Sequence, residues 1–237
     1  MNGQRATTHA TATSLALLAA WLVCQTTVRI VLGYGDYFPP NFRSDFLLGR
    51  EGTFFGGYQW AFYAHIVSGP FCLSSGLALL FERAWAPRRR LHRLVGKAHM
   101  IGLLFVMAPS GLWMSAYAAT GRVAGFAFAV QAVLTAAFAL LGWRSAVRRE
   151  FSTHRIWMQR TFAMLTAAVV LRLIGGASEV LGLEGVYPYS AWASWLLPLG
   201  SLEIARWVSS PMAPGTLRAS GSPRKTAISG STSRGIH

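Results

Sequence analysis

"VAGFAFAVQAVLTAAFALLG", residues 123–142, contains no charged side chain and a single amide, Gln131. An α-helix rises about 1.5 Å per residue, so a run of roughly 18 or more apolar residues can cross a hydrocarbon layer about 30 Å thick. This stretch therefore predicts a transmembrane helix.

Further apolar segments of similar length lie on both sides of this one. They cover about residues 13–33, 58–81, 94–119, 156–177 and 189–207. The chain has 237 residues, of which 53% are apolar and 13% charged, and this leaves too little polar surface to cover a soluble domain. The sequence therefore predicts an all-α fold, an integral membrane bundle of six transmembrane helices within residues 13–207.

The basic residues predict how this bundle is oriented. Most of the 22 Lys and Arg residues precede the first segment, follow the sixth, or lie in the loops after the second and fourth. Because Lys and Arg are retained on the cytoplasmic side, this distribution predicts cytoplasmic N- and C-termini. Most of the acids fall on the opposite side, namely Asp36, Asp45, Glu51, Glu179 and Glu184.

The two ends of the chain flank the membrane domain. Residues 1–12 form a short cytoplasmic N-terminus, and residues 208–237 are rich in Ser, Pro, Gly and Thr, which is typical of a disordered basic tail. The net charge of +14 forms no separate polar domain, so we expect no nucleic-acid partner. The lipid bilayer and its anionic headgroups are the expected partners.

Two basic loops resemble each other. "ALLFERAWAPRRRLHR" (78–93) and "ALLGWRSAVRREFSTHR" (139–155) share Ala-Leu-Leu, a basic run and a closing His-Arg. The repeat predicts two equivalent hairpins and a four-helix core made of segments two to five. The alternative is that both loops only satisfy the preference for basic residues on the inside.

Several short motifs together resemble a known family. They are "GREGTFFGGY" (49–58), "HIVSGP" (65–70), "LHRLVGK" (91–97), "PSGLWMSAYA" (109–118) and "HRIWMQR" (154–160). As a set they resemble the predicted bacterial membrane proteins called domain of unknown function 2306, over roughly residues 45–205. The resemblance implies a multi-helix, multi-pass protein of the bacterial inner (cytoplasmic) membrane. It implies no established activity and supplies no catalytic residue.

Histidines at the start of two segments are candidate haem ligands. His92 in "LHRLVGKAHM" (91–100) and His154 begin the third and fifth segments at the same predicted depth. Histidine commonly ligates haem, and facing helices can supply both axial ligands. Arg93 and Arg155 follow these histidines and would pair with haem propionates. The alternative is that both His-Arg pairs bind lipid headgroups.

Two further histidines, His65 and His99, lie deeper in the predicted membrane. Their predicted depths differ by about 10 Å, so they meet only if the helices tilt strongly. His99 shares a helix face with Gly96, and Gly69 follows His65 at the matching offset, which predicts flat spots where a ring or a neighbouring helix lies close. Each histidine is either a haem ligand or a packed side chain that faces a partner or cavity.

Three charged residues are expected near one depth at the inner side. We predict that Glu203 in the sixth segment pairs with Lys97 or Arg160. Such an ion pair either fixes helix packing or belongs to a proton or ion relay that includes His99.

Two prolines predict irregular helices. Pro70 and Pro109 lack an N–H group and so free the carbonyls of Ile66 and Phe105, four residues earlier. A freed carbonyl within the membrane must find a partner or line a cavity.

The first outer loop, residues 34–57, is rich in aromatic side chains. It predicts either an interfacial aromatic belt or a lid over a pocket for a quinone-like ligand. The residues are Tyr34, Tyr37, Phe38, Phe42, Phe46, Phe54 and Phe55.

Three classes of function remain open. The first is a membrane redox protein that holds haem b, the second is a transporter of small solutes, and the third is a non-catalytic accessory protein. No nucleotide-binding loop, zinc-protease helix or cysteine-rich metal motif occurs in the sequence. We therefore expect no metal site other than a possible haem.

Overall fold

The computed structural model describes residues 2–44, 46–118 and 120–209, with side chains described at 14 and from 17 onward except at 82 and 83. Every regular element in this part of the chain is a helix. The α-helices are α1 (Asn2–Leu32), α2 (Glu51–Phe54), α3 (Gly57–Leu80), α4 (Glu82–Trp85), α5 (Arg89–Ile101), α6 (Ala108–Ser115), α7 (Arg122–Val147), α8 (Phe151–Leu165), α9 (Ala167–Val180) and α10 (Tyr187–Ser209). A 3-10 helix covers Gly33–Tyr37, and a π-helix covers Gly102–Met107. Almost the whole of the predicted tail, residues 208–237, lies outside the described residues.

By length and composition, five helical segments in the described part are able to cross a membrane. They are Leu17–Tyr37, Gly57–Leu80, Arg89–Ser115, Arg122–Val147 and Phe151–Val180. These correspond to the first five predicted segments. The sixth predicted segment is also helical, since α10 runs for 23 residues, but its serines, Glu203 and Arg206 make it more polar than the other five.

The helices pack around α3, α7 and α8. Helices α7 and α8 form an antiparallel hairpin, and α3 contacts α5, the π-helix, α6 and α8. Helix α10 lies against α7, α8 and α9, while α1 touches only the edge of the bundle at α3 and α9. The largest buried cluster contains Cys72, Leu73, Leu103 and Leu165, which come from the second, third and fifth segments.

The third segment is not a continuous α-helix. Helix α5 passes into the π-helix and then into α6, whose second residue is Pro109. The N–H group of Ala108 donates to the carbonyl of Leu103, five residues earlier, as the π register requires. The irregularity expected near Pro109 therefore takes the form of a wider turn just before the proline.

The fifth segment is interrupted at Thr166, which separates α8 from α9. The Thr166 hydroxyl donates to the carbonyl of Ala163 (2.7 Å), and the Gln131 amide of α7 donates to the carbonyl of Met164 (3.2 Å). Side chains thus satisfy carbonyls at the interruption, as a membrane interior demands. The sequence analysis missed this break because the segment contains no proline.

The aromatic loop after α1 packs onto the N-terminal end of α3 and forms a cap, defined here as residues 33–44 and 46–56. Leu47 and Phe54 of the cap are fully buried against Tyr58 and Phe62 of α3. Arg50 donates to the backbone carbonyl of Tyr117 (2.8 Å) and so ties the cap to the end of the third segment. Other cap aromatics, including Phe38 and Phe55, remain exposed.

Candidate functional site

Among the acidic, basic and histidine side chains in the described part of the chain, the most buried is His99, with 1% of its surface exposed. It lies on α5 where that helix faces α3, and its Nδ1 atom is 2.8 Å from the Ser75 hydroxyl oxygen. The side chain lies in a segment that is able to span a membrane, where burying an ionisable group costs free energy unless the group is paired or faces a cavity.

The Ser75 hydroxyl has two polar neighbours. It donates to the carbonyl of Phe71 (2.6 Å), and its oxygen lies 2.8 Å from Nδ1 of His99. With the serine proton on Phe71, the tautomer of His99 that completes this set carries its proton on Nδ1 and leaves a lone pair on Nε2. This Nε2 atom is buried and has no hydrogen-bond partner in the described structure.

The His99 ring packs between α3 and α8 at the position of Gly76, which has no side chain to displace it. A Cβ atom at Gly76 would lie 3.2 Å from Cε1 of His99 and 3.2 Å from Phe162. These distances are shorter than ordinary Cβ contacts, so any larger residue at position 76 would push His99 or Phe162 away by a few tenths of an ångström. The ring is thus positioned by its hydrogen bond with Ser75 and by tight packing against Gly76.

A groove between α1 and α3 begins at the other side of Ser75. Its volume is about 450 Å³, within the range of roughly 300–1,000 Å³ that is typical of small-molecule sites. The walls are mostly apolar and the groove opens sideways between two membrane-spanning segments, so lipid chains can reach it. The lining residues are Thr27, Val28, Val31, Leu32, Pro70, Phe71, Ser74 and Ser75.

His65 occupies a separate position nearer the outer end of α3. Its Nδ1 atom lies 3.2 Å from the carbonyl of Met107 and 3.3 Å from the hydroxyl of Ser110. Its contacts and those of His99 are ten residues apart along α3, which corresponds to about 15 Å. The two histidines therefore cannot ligate one group, as their predicted depths already indicated.

Neighbouring helices do not approach the glycines that share a helix face with these histidines. Among the described residues, no atom lies within 4 Å of a Cβ placed at Gly69 or Gly96, and a ring at either flat spot stays a prediction. The close approaches occur instead at Gly76, beside His99, and at Gly111, where a Cβ would lie 3.0 Å from His65. The spacing of residues along one helix does not determine how that helix is rotated about its axis relative to its neighbours. For this reason the sequence did not identify Gly76 and Gly111.

The other two candidate ligands, His92 and His154, lie near the N-terminal ends of α5 and α8. The His92 ring meets the indole of Trp85 edge-on, with ring centroids 5.7 Å apart. Nδ1 of His154 is 2.8 Å from the carbonyl of Gly142 on α7. The pairing of these two histidines across one haem stays a prediction. Arg93 and Arg155, the candidate propionate partners, are exposed.

Glu203 of α10 lies against Arg160 of α8. Nε and Nη2 of Arg160 donate to the two carboxylate oxygens at 2.7 and 2.9 Å, which is the bidentate geometry that arginine favours. The guanidinium also lies over the ring of Trp157, 4.6 Å from its centroid. Lys97, the other cation considered for Glu203, is exposed on α5. Whether the pair takes part in a relay stays a prediction.

The site chemistry is that of a buried hydrogen-bonding group beside an apolar groove. In the part of the chain that the structure describes, no three His, Cys, Asp or Glu side chains are grouped to hold a metal ion. Sequence reasoning identified His99 but missed Ser75. Serine is common as a helix-packing residue, and "CLSSG" (72–76) gives no sign of which serine meets the histidine.

Comparison with known families assigns most of the chain to one of them. A family model described as "Predicted membrane protein (DUF2306)" matches residues 62–208. These residues include Ser75, His99 and all of α5 to α9, whereas α1 and the cap precede the match. No curated protein and no solved structure matches the chain.

Proposed function

Because the chain belongs to the DUF2306 family of predicted membrane proteins, we propose that it lies in the bacterial cytoplasmic membrane with six spans and cytoplasmic termini. The 23 residues of α10 are long enough to cross the hydrocarbon layer, and α10 packs along three helices that belong to spans. The distribution of Lys and Arg supports the orientation. Reporter fusions after residues 120 and 209 test it, and we expect only the second fusion to be cytoplasmic.

We propose that the protein binds a lipophilic molecule bearing a hydroxyl group, which enters the α1–α3 groove from the bilayer. The observation that carries this proposal is the position of Ser75, which lines the groove and also bonds the buried His99. Quinols and fatty alcohols belong to this chemical class.

The ligand's hydroxyl group would meet Ser75. A serine hydroxyl has one proton and two lone pairs. The proton goes to the carbonyl of Phe71 and one lone pair accepts from His99, so one lone pair remains for a donor in the groove. The Thr27 hydroxyl, on the opposite wall, donates to the carbonyl of Val23 at 2.6 Å.

His99 lies on the side of Ser75 that faces away from the groove and forms a hydrogen bond with the serine hydroxyl group. The hydrogen bond between His99 and Ser75 fixes the position of the serine oxygen and polarises it.

Direct binding of a tritiated long-chain alcohol to the detergent-purified protein tests the proposal. Ser75→Ala removes the acceptor, and we expect the dissociation constant to rise about two- to ten-fold, the effect of one hydrogen bond. Ser74→Ala is the matched control, since Ser74 lines the same groove without bonding His99. Equal affinity in the wild type and both variants would contradict the proposal.

A second candidate function, a haem b redox protein, is favoured by one observation at the inner side. The bond from Nδ1 of His154 to the Gly142 carbonyl leaves Nε2 available, as in histidines that ligate metals. His92 would supply the other ligand, and the haem would supply one-electron chemistry. A Soret band that is lost in His154→Ala supports this candidate, and a colourless protein purified from haem-replete cells contradicts it.

A further inference from the structure

The turn between α7 and α8 contains the only non-glycine residue with a positive φ angle among the described residues, Arg149 at +63°. Its N–H group donates to the carbonyl of Ala146 (3.0 Å), and the N–H group of Glu150 donates to Ser145 (2.9 Å). These two bonds define a Schellman motif, in which the residue after the helix cap takes the left-handed conformation.

The same motif closes α9 at the other side of the bundle, and there the chain uses glycine. Gly182 has φ +65°, its N–H group donates to Glu179 (3.2 Å), and the N–H group of Leu183 donates to Ser178 (2.9 Å). Glycine adopts this conformation without steric cost, whereas a side chain crowds the backbone. The inner turn thus carries an arginine at a position that glycine fills more comfortably.

The two hydrogen bonds of the motif form with glycine as well, so they give no reason for an arginine at this position. The Arg149 side chain is exposed and makes no hydrogen bond, ion pair or ring contact with the described residues. Arg144, Arg148 and Arg155 lie in the same turn or within about one helical turn of it, and Glu150 is the one acid among them. The arginines form a basic surface, called here the inner turn (residues 144–155), at the membrane boundary of α7 and α8.

We propose that the inner turn binds the phosphate of an anionic phospholipid headgroup and that Arg149 is its principal contact. Arginine donors match phosphate oxygens geometrically, and a headgroup at the end of the α7 span is at the right depth. An external partner of this kind offsets the backbone strain that Arg149 introduces. The proposal is independent of the groove ligand, because the two sites share no residue.

The test measures phosphatidylglycerol binding to the full-length protein in phosphatidylcholine nanodiscs, together with Tm. We expect Arg149→Gly to raise Tm in pure phosphatidylcholine, because the strain is relieved, and to weaken phosphatidylglycerol binding about five-fold. Arg149→Asn, which also tolerates a positive φ, should weaken binding equally. Arg149→Lys keeps both charge and conformation and should bind almost as the wild type does.

Arg122→Gln is the matched control, since Arg122 is an exposed arginine at the opposite end of α7. It should leave phosphatidylglycerol binding unchanged. The proposal is overturned if Arg149→Gly binds like the wild type or if Arg122→Gln weakens binding as much as Arg149→Gly. Displacement of the lipid by inorganic phosphate, at an ionic strength matched with chloride, would also overturn it, because the site would then select free phosphate.

Discussion

The hydroxyl group of Tyr34 donates a hydrogen bond to the backbone carbonyl of Ile66, the carbonyl that Pro70 deprives of its helical donor. Tyr34, at the end of the first span, thus supplies the hydrogen bond that the Ile66 carbonyl in the second span lacks because of Pro70. The bond also anchors the cap to α3, together with the bond from the Tyr63 hydroxyl to the carbonyl of Tyr37 (2.9 Å). Two side-chain hydrogen bonds thus join the cap and α3.

Tyr34→Phe tests whether this hydrogen bond stabilises the protein. The variant leaves a carbonyl unsatisfied within the membrane, and we expect the free energy of unfolding to fall by about 1–3 kcal/mol. In a Pro70→Ala background, the new N–H group of residue 70 can satisfy Ile66, so the same substitution should cost much less. Thermal unfolding of the four proteins measures the coupling, and equal losses in both backgrounds would refute the account of Tyr34.

Gly76→Ala tests the packing of His99. The added Cβ would lie 3.2 Å from both His99 and Phe162, so we expect a loss of about 1–3 kcal/mol in the free energy of unfolding. Gly96→Ala is the control, because its Cβ meets open space and alanine favours a helix by up to about 1 kcal/mol. Chemical denaturation compares them, and equal stability of the two variants would contradict the described contact.

The Arg160–Glu203 pair is tested by neutralising each residue. The side chains are 25% and 40% exposed, so we expect Glu203→Gln alone to cost about 1 kcal/mol. If the pair only fixes α8 against α10, Arg160→Gln should cost less in the Glu203→Gln background than alone, and the cost that remains there is that of the lost contact with Trp157. A strictly additive double variant, measured by thermal unfolding, would show that the two side chains do not stabilise each other.

Much of this fold is predictable from hydrophobic length alone. The five most apolar segments form helices close to their predicted positions, because a membrane interior leaves a run of apolar residues few alternatives. The breaks within segments are harder to predict. Pro109 marks the π-helix of the third span, but Thr166 interrupts the fifth span without any residue that excludes a helix.

The contacts of the site are only partly predictable, because the sequence does not determine how each helix is rotated about its own axis. The sequence identifies His99 as a costly residue within the membrane, but not Ser75 or Gly76 as the residues that meet it. Those contacts depend on how α3 turns toward α5, which is decided by packing of the whole bundle. For the same reason, no described neighbouring helix lies at the flat spots predicted at Gly69 and Gly96.

The measurement that tests the central claim most directly is photolabelling of the protein in lipid vesicles. The probe is a long-chain alcohol with a diazirine within its chain, and mass spectrometry locates the labelled residues. We predict labels on α1 and α3 around Thr27, Val31 and Phe71, with a marked loss in Ser75→Ala but not in Ser74→Ala, and weak labelling by the matching alkane. Labels spread evenly over all lipid-facing helices, with equal yield in the three proteins, would contradict the claim that this groove selects a hydroxyl-bearing ligand.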